Sequence, residues 1–369
     1  MQDAKLKLDV HERVEAAWTL ASRFYTDPAV LDLEKHRVFD RTWQLVGTSE
    51  KVAQPGDYFT ADVAGEPVVV VRGADSELRA FINVCRHRGG AVAEGAGCAK
   101  NFRCHYHGWT YTLDGKLIGT PDVGGMEFFD RTQMPLPQIQ VATWEQFVFV
   151  NLDAQAPPLA AFLEDIPDRV AAWNAHEMQF ALRKDYVIEC NWKVYVDNYL
   201  EGYHIPIAHP GLMKEIDYAQ YRTECHRYYS RQFAPLRPSS VIAGADDTER
   251  MYVPKEGQPD DAYYVWVFPN LMLNIYPDNL QTNVILPLGH TKTLTRFEWF
   301  ARSPESPDVQ ERLARAVKFA DEVQAEDVHL CETVQKGLRS AFYDRGRYAP
   351  KRENGVHHFH SLLQEFLGA

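Results

Sequence analysis

The stretch Cys85-Arg86-His87, followed after sixteen intervening residues by Cys104-His105-Tyr106-His107, decides how this chain is organised. Each half offers one thiolate and one imidazole, and together they form the ligand set of a 2Fe–2S cluster in which two cysteines bind one iron and two histidines the other. Two cysteines and two histidines also suit tetrahedral Zn²⁺, but zinc sites of this composition pair like residues with like. The mixed halves therefore favour an iron–sulfur cluster over structural zinc.

Short β-hairpins are predicted on both sides of these ligands. An apolar run at Val68–Val71 and a second strand over 78–84 lead directly into Cys85. Trp109–Thr112 and an Asp114-Gly115 turn predict another hairpin after the second ligand pair. We therefore expect both pairs on loops at hairpin tips, in a small antiparallel β domain that ends near residue 155.

The composition is that of an ordinary globular protein with room for two domains. The chain has 369 residues, of which 45% are hydrophobic and 24% charged, and its formal net charge is −12. This negative charge disfavours nucleic acid and anionic membranes as partners. The N-terminus lacks an apolar signal core and no run reaches transmembrane length, so we expect a cytoplasmic protein.

The number of cysteines does not predict a disulfide framework, because six are present in a chain of this length. Those outside the cluster are expected to be small buried side chains, namely Cys98, Cys190, Cys225 and Cys331.

The remaining chain predicts an α+β protein. Helical spacing of apolar residues extends from about Val10 to Arg41 with an interruption at Pro28, and recurs over 159–175 and 190–204. A strand-rich section over 226–300 follows. A long helix from Pro307 to Leu338 comes next, with Ser306 as the expected N-cap.

A second candidate site lies at the end of the helix predicted over 190–204. His204 and His209 are five residues apart, and Pro206 should end the helix between them so that His209 folds back towards His204. Asp197 and Glu201 precede His204 by seven and three residues, which places all three on one helical face. Taken alone, such histidines are more often structural or surface residues than metal ligands.

The long C-terminal helix supplies the third member of this site. Its apolar positions recur at a spacing of three and four residues, at Val309, Leu313, Ala316, Ala320, Val323, Leu330 and Val334. Asp327 completes this stripe, and a carboxylate on a buried face needs a cation or hydrogen-bond donors. A salt bridge to an arginine would satisfy it equally well. Combined with His204 and His209, however, Asp327 forms the two-histidine, one-carboxylate set of non-haem Fe(II) oxygenases.

The chain resembles the catalytic α subunits of Rieske non-haem iron oxygenases along nearly its whole length. The resemblance is carried by Cys85-x-His87, Cys104-x₂-His107-Gly108-Trp109, Asn191-Trp192-Lys193, Glu201-x₂-His204-x₄-His209 and Glu326-Asp327. The variant Asp197-Asn198-Tyr199-Leu200-Glu201-Gly202-Tyr203-His204 is most similar to the branch that contains choline monooxygenase and carnitine oxygenase.

This resemblance implies three regions. They are N-terminal helices over 1–41 that pack with the catalytic domain, a Rieske 2Fe–2S domain over 42–155, and a helix-grip catalytic domain with mononuclear iron over 156–369. It also implies a homotrimer in which the cluster of one subunit donates electrons to the iron of its neighbour. Glu201, assigned with Asp197 to the catalytic residues, would link His107 of one subunit to His204 of another.

The resemblance further implies O₂ as co-substrate and a separate NAD(P)H-dependent reductase, and no glycine-rich dinucleotide motif occurs in the chain itself. The expected reaction is hydroxylation of a C–H bond in a quaternary ammonium compound such as choline, betaine or carnitine. Tyr195, Tyr199, Tyr203 and Trp266 are candidate members of an aromatic cage for the cation, together with Tyr229, Tyr264 and Phe268. These aromatics would otherwise be core residues. Two alternatives stay open, a dioxygenase that acts on an aromatic acid and a Rieske electron-transfer protein without oxygenase activity.

Overall fold

The computed structural model describes residues 8–235, 237, 261–276 and 279–368. The chain forms two compact units, one of residues 39–162 and one that combines the residues before 39 with those after 162. The limits of 42–155 predicted for the first domain differ from the observed limits by a few residues at each end. Antiparallel sheets and helices in both parts of the chain confirm the α+β class.

The unit of residues 39–162 is built from two antiparallel sheets. Its strands are β1 (Gln44–Thr48), β2 (Asp57–Val63), β3 (Glu66–Arg72), β4 (Leu78–Ile82), β5 (Ala96–Cys98), β6 (Asn101–Arg103), β7 (Thr110–Thr112), β8 (Leu117–Gly119), β9 (Gln138–Trp144) and β10 (Phe147–Asn151). Seven form a sheet in the order β1-β10-β9-β4-β3-β2-β5, and β6-β7-β8 form the second sheet. Cys104 and His107 lie on the loop between the paired strands β6 and β7, which confirms a hairpin tip. Cys85 and His87 lie on the loop between β4 and β5, and the prediction of a hairpin tip is wrong there because β4 pairs with β3 and β9 while β5 pairs with β2.

The other unit contains a second seven-stranded antiparallel sheet, in the order β11-β17-β16-β15-β14-β13-β12. Its strands are β11 (Gln179–Ile188), β12 (Arg222–Cys225), β13 (Tyr229–Pro235), β14 (Asp261–Val267), β15 (Leu271–Ile275), β16 (Asn279–Gly289) and β17 (Lys292–Ala301). The strand-rich prediction over 226–300 is confirmed where the chain is described, and its parts at 236, 238–260 and 277–278 lie outside the described residues. The strands β11 and β12 were not predicted.

Helices accompany these sheets. They are α1 (Arg23–Thr26), α2 (Pro28–Arg37), α3 (Leu159–Leu163), α4 (Ile166–Val170), α5 (Trp192–Tyr199), α6 (Ile205–Ala208), α7 (Leu212–Glu215), α8 (Pro307–Leu338) and α9 (Asn354–Gly368). The predicted bounds of α8 are confirmed, and Ser306 occupies its N-cap position, although its side chain accepts no capping hydrogen bond. No helix within the described ranges is long and apolar enough to cross a membrane.

The predicted N-terminal helix is wrong before residue 23. After two isolated turns, the backbone there pairs with a distant segment: Trp18 forms a β-bridge with Arg347, and the N–H of Thr19 donates to the carbonyl of Gly346 at 3.1 Å. Pro28 does not interrupt a helix but starts one, because it fits the first turn and the Asp27 carboxylate caps that turn.

The helix α2 is attached to α5 by a buried ion pair. The Lys193 ammonium lies 2.7 Å from the Glu34 carboxylate, and both side chains are almost fully buried. Trp192 donates its indole N–H to the other carboxylate oxygen of Glu34 at 2.8 Å. Burial raises the pKa of Glu34 and lowers that of Lys193, and each residue is stabilised in place by the other. This pairing fixes the start of α5, the helix that leads into the candidate site.

The inner face of α8 is more polar than predicted. Its buried positions are Leu313, Ala316, Val317, Gln324, Cys331, Gln335 and Leu338, whereas Val334 is half exposed. Gln335 accepts the backbone N–H of Asn191 at 2.7 Å, so a side chain of α8 orders the residue that caps α5. Among the cysteines predicted to be buried, Cys190 and Cys331 are buried, but Cys98 and Cys225 are exposed.

Candidate active site

The loops that carry the first ligand set have the same backbone conformation. In each loop the cysteine N–H donates to the carbonyl five residues later, at 2.7 Å for Cys85 and 2.9 Å for Cys104. The cysteine carbonyl accepts from the N–H of the glycine four residues later, at 3.0 Å for Cys85 and 2.9 Å for Cys104. The glycines concerned, Gly89 and Gly108, have φ values of +76° and +74°, which side chains other than glycine rarely adopt. Two copies of one turn therefore present the ligands.

The four predicted cluster ligands converge in pairs. The thiols of Cys85 and Cys104 are both buried, and each is 3% exposed. The imidazole rings of His87 and His107 lie 4.6 Å apart between centroids. Trp109 stacks on His87 at 4.9 Å, nearly parallel, and fixes the orientation of that ring. The side chains thus form a thiol pair and an imidazole pair.

Their surroundings fit a bound 2Fe–2S cluster. The Nδ1 atom of His87 is buried and has no hydrogen-bond partner among the described residues, which a metal ion would satisfy. Burial raises the pKa of the Cys104 thiol, so the thiolate that a cluster needs would be stabilised by iron rather than by nearby protein cations. Tyr111 accepts the backbone N–H of Arg86 at 2.9 Å and lies 3.4 Å from the Cys85 sulfur, where its hydroxyl can donate.

The second ligand set is organised differently from the prediction. The helix α5 ends at Tyr199, and His204 and His209 flank the separate short helix α6. The reason lies in Glu201, whose carboxylate accepts the backbone N–H of His204 at 3.1 Å and so starts a new turn. Pro206 lies in the first turn of α6 rather than ending a longer helix.

Three side chains nevertheless meet at one point. The Nε2 atoms of His204 and His209 are 3.0 Å apart, and Asp327 Oδ1 lies 3.1 Å from His209 Nε2 and 3.7 Å from His204 Nε2. Among the described residues, His204, His209 and Asp327 are a group of potential ligand atoms close enough to share one metal ion. Two imidazoles and one carboxylate suit Fe(II) and leave positions open for other ligands.

Each of these three residues is held from behind. Glu201 lies 2.5 Å from His204 Nδ1, and Glu326 lies 2.6 Å from His209 Nδ1. The Asn198 side chain donates to Asp327 Oδ1 at 2.6 Å. A carboxylate behind a ligating imidazole fixes its orientation and its tautomer. This arrangement fits a resident metal ion.

The charge state of His209 reflects its carboxylate neighbours. Burial opposes a positive charge on His209, but hydrogen bonds and Coulombic attraction from Asp327 and Glu326 outweigh it and raise its pKa. The same negative environment attracts a metal cation.

Asp197 does not belong to this group, and the prediction that it shares a face with Glu201 and His204 is wrong, because α5 ends between them. Its carboxylate accepts the Tyr25 hydroxyl at 2.7 Å and lies 2.9 Å from His360 Nε2. The Nδ1 atom of His360 lies 2.6 Å from the Tyr348 hydroxyl. Asp197 thus ties the N-terminal segment and α9 to α5.

A cavity opens beside the three converging residues. Its volume of about 130 Å³ holds several water molecules, which is enough for a small organic substrate. Its aromatic lining residues are Tyr195, Tyr199, Tyr221, Tyr264, Tyr276, Phe297, Trp299 and Phe319. Its amide lining residues are Asn198, Gln232, Asn274, Asn279, Gln281, Asn283 and Gln324.

The predicted aromatic cage is only partly present. Tyr195 and Tyr199 line the cavity, and so does Tyr264. Trp266 is fully buried elsewhere, packed on Phe359 and Phe268, and Tyr203 is 57% exposed outside the cavity. The prediction is therefore wrong for Trp266 and Tyr203.

Tyr229 and Phe268 are likewise core residues that do not line the cavity. The amides of the lining went unrecognised in the sequence. Their signal was the alternation of amide and other side chains in Asn279-Leu280-Gln281-Thr282-Asn283.

The chain is similar to known proteins over its whole length. Residues 42–139 match the family described as Rieske [2Fe-2S] domain, and residues 170–369 match the ring hydroxylating alpha subunit (catalytic domain) family. The chain is 37% identical to a chloroplastic choline monooxygenase of Arabidopsis thaliana, over 96% of this chain and 84% of that protein. It is 34% identical to the carnitine monooxygenase oxygenase subunit of Escherichia coli (strain K12), over 95% of this chain and 94% of that protein.

A solved structure extends this similarity to three dimensions. A quaternary ammonium Rieske monooxygenase, described for its carnitine oxidation and inter-subunit electron transfer, superposes with a TM-score of 0.85 at 29% identity. The superposition covers 98% of this chain and 99% of that one.

Proposed function

The chain belongs to the catalytic α subunits of Rieske-type ring-hydroxylating oxygenases, and from this premise we propose that it hydroxylates a quaternary ammonium compound. The reaction consumes one O₂, two electrons and two protons, converts a C–H bond to C–OH and releases one water. Membership of this family excludes two alternatives, a zinc-stabilised module and an electron carrier without oxygenase activity.

The metal ligands in this proposal are the two sets of converging residues. Cys85, His87, Cys104 and His107 would hold the 2Fe–2S cluster, and His204, His209 and Asp327 the mononuclear iron. When bound, these groups supply the electrons and the activation of O₂.

The single observation that carries the substrate class is the character of the cavity wall. Aromatic faces and the carboxylates of Glu201 and Asp327 surround the space beside the triad. Burial holds the pKa of several wall tyrosines well above that of a free phenol, so their rings stay uncharged: Tyr195, Tyr199, Tyr221 and Tyr264. Neutral aromatic faces and nearby carboxylates attract an alkylammonium cation. The names of the relatives at 37% and 34% identity point to the same class.

Electron delivery in this proposal uses Glu201. One of its carboxylate oxygens lies 2.5 Å from His204, and its side chain is 12% exposed. We propose that the partner subunit's His107 lies against it in a homotrimer. Inter-subunit electron transfer is described for the superposed monooxygenase, which supports a route between subunits. A separate NAD(P)H-dependent reductase would reduce the cluster. A cytoplasmic location stays a prediction, and the plant relatives are chloroplastic by name.

The test is substrate-dependent O₂ consumption with a surrogate reductase and NADH. Choline, glycine betaine, carnitine, γ-butyrobetaine and benzoate would each be supplied to the purified protein. We expect at least one quaternary ammonium compound to support O₂ uptake matched by hydroxylated product. Coupled uptake with the aromatic acid and none with the ammonium compounds would overturn the proposal.

A further inference from the structure

The strand β16 presents a row of amides to the cavity. Asn279, Gln281 and Asn283 occupy alternate positions, so their side chains share one face of the sheet. All three are at least nine-tenths buried. Polar side chains buried to this degree normally have hydrogen-bond partners.

The amide of Gln281 is oriented by a chain of hydrogen bonds that starts at a wall tyrosine. Tyr199 donates its hydroxyl to Asn274 Oδ1 at 2.8 Å, and Asn274 donates from Nδ2 to Gln281 Oε1 at 3.2 Å. This leaves Gln281 Nε2 as the end of the chain, and it has no partner among the described residues. A residue of the cavity wall therefore carries a buried donor that is left unpaired within the described ranges.

Asn283 offers the complementary group. Its Oδ1 atom is buried and also lacks a partner within the part of the chain that is described. A hydroxyl group can accept from Gln281 Nε2 and donate to Asn283 Oδ1, and so satisfies both. A carboxylate can only accept, and one of its oxygens would face the Asn283 oxygen.

The charges of the cavity wall also disfavour a substrate carboxylate. Of the lining residues in the described ranges, none is lysine or arginine, whereas Glu201 and Asp327 carry carboxylates. A substrate carboxylate would lose its hydration without gaining a protein cation. Even a divalent iron at the triad would leave no excess of positive charge, because Glu326 adds a third carboxylate beside it.

We propose that this cavity selects a quaternary ammonium alcohol, which carries one net positive charge and an uncharged hydroxyl, over zwitterions that end in a carboxylate. Gln281 and Asn283 bind the hydroxyl. This inference rests on the proposed function and narrows its substrate class.

The first test compares choline with glycine betaine, which replaces the alcohol by a carboxylate on the same trimethylammonium group. We expect kcat/KM for choline to exceed that for glycine betaine, carnitine and γ-butyrobetaine by about 100-fold or more. Equal or better turnover of a carboxylate compound would overturn this inference and leave the proposed function standing. Activity confined to benzoate would overturn the proposed function itself.

The second test identifies the residues that bind the hydroxyl. Ethyltrimethylammonium lacks the hydroxyl of choline but keeps the cation. The dissociation constant of ethyltrimethylammonium divided by that of choline, both measured by calorimetry, therefore reports hydroxyl binding. Gln281→Leu should reduce this ratio at least 10-fold, and Asn283→Leu should do the same from the acceptor side.

The matched control is Gln324→Leu. Gln324 also lines the cavity, but its amide already has partners in Tyr195 and Thr295. The Gln324→Leu variant should leave the ratio unchanged. Circular dichroism identifies any variant that has not folded. An unchanged ratio in both Gln281→Leu and Asn283→Leu, with folded protein, would contradict the proposal.

Discussion

The two candidate metal sites are built in contrasting ways. The cluster loops around Cys85 and Cys104 are two copies of one local turn, and each places its ligands within three residues of one another. The triad combines His204 and His209, on either side of a short helix, with Asp327, which is more than 100 residues away in sequence on α8. The first site depends on local backbone conformation, and the second depends on how α8 packs.

This difference has a physical consequence. A local turn is fixed mainly by the φ angles of its glycines, so substituting such a glycine should first strain the loop itself. The triad is held by side-chain hydrogen bonds from Glu201, Glu326 and Asn198, so single charge changes should disturb the iron.

The largest effect is expected for Asp327→Ala. It removes the only carboxylate of the proposed triad, so turnover should fall at least about 1,000-fold and bound iron should drop from three to two atoms per subunit. The visible spectrum of the cluster should not change. Iron analysis and absorbance check this, with Glu322→Ala on the exposed side of the same helix as control. Loss of the cluster spectrum would show that the two sites are not independent.

An intermediate effect is expected when either of the two carboxylates behind the histidines is neutralised. Glu201→Gln and Glu326→Gln remove the same charge from nearly the same distance behind an imidazole, 2.5 and 2.6 Å. Each should weaken iron binding or activity about 10- to 100-fold.

Only Glu201→Gln should also slow electron transfer from cluster to iron, because only Glu201 is proposed to contact the partner subunit's His107. Single-turnover oxidation of the prereduced cluster, in protein reconstituted with saturating iron, measures that rate. Equal rates in the two variants would remove Glu201 from the electron route.

The smallest effect concerns neighbouring glycines of one cluster loop. At Gly89 an added Cβ meets no atom within 4 Å, so Gly89→Ala should cost only the left-handed backbone strain of about 1 to 2 kcal/mol. At Gly90 the added Cβ would lie 3.1 Å from the Cys104 sulfur. Gly90→Ala should therefore lower cluster occupancy, measured by absorbance per protein, while Gly89→Ala lowers only the unfolding midpoint. Full occupancy in Gly90→Ala would show that the loop can adjust.

Sequence reasoning succeeded where the relevant contacts are short in sequence. The strand before Cys85 and the bounds of α8 follow from local periodicity and from the position of a proline. It failed for residues 10–22, where the backbone N–H groups of Thr19 and Ser22 donate to Gly346 and Asp344, because no local pattern reports such a distant partner. It also failed for the end of α5, where the Glu201 side chain competes with the helix for backbone donors.

The sequence by itself determined the family and the α+β class and predicted the two ligand sets, because these depend on residue types at fixed spacings. Only the tertiary structure determined which residues line the cavity. Tyr199 lies five residues before His204 in the sequence, and Trp266 lies on β14. Both are aromatic, yet Trp266 is enclosed in the core and Tyr199 lines the cavity. Within the described part of the chain, Gln281 Nε2 and Asn283 Oδ1 lack a hydrogen-bond partner, and this too is a property of the packed chain.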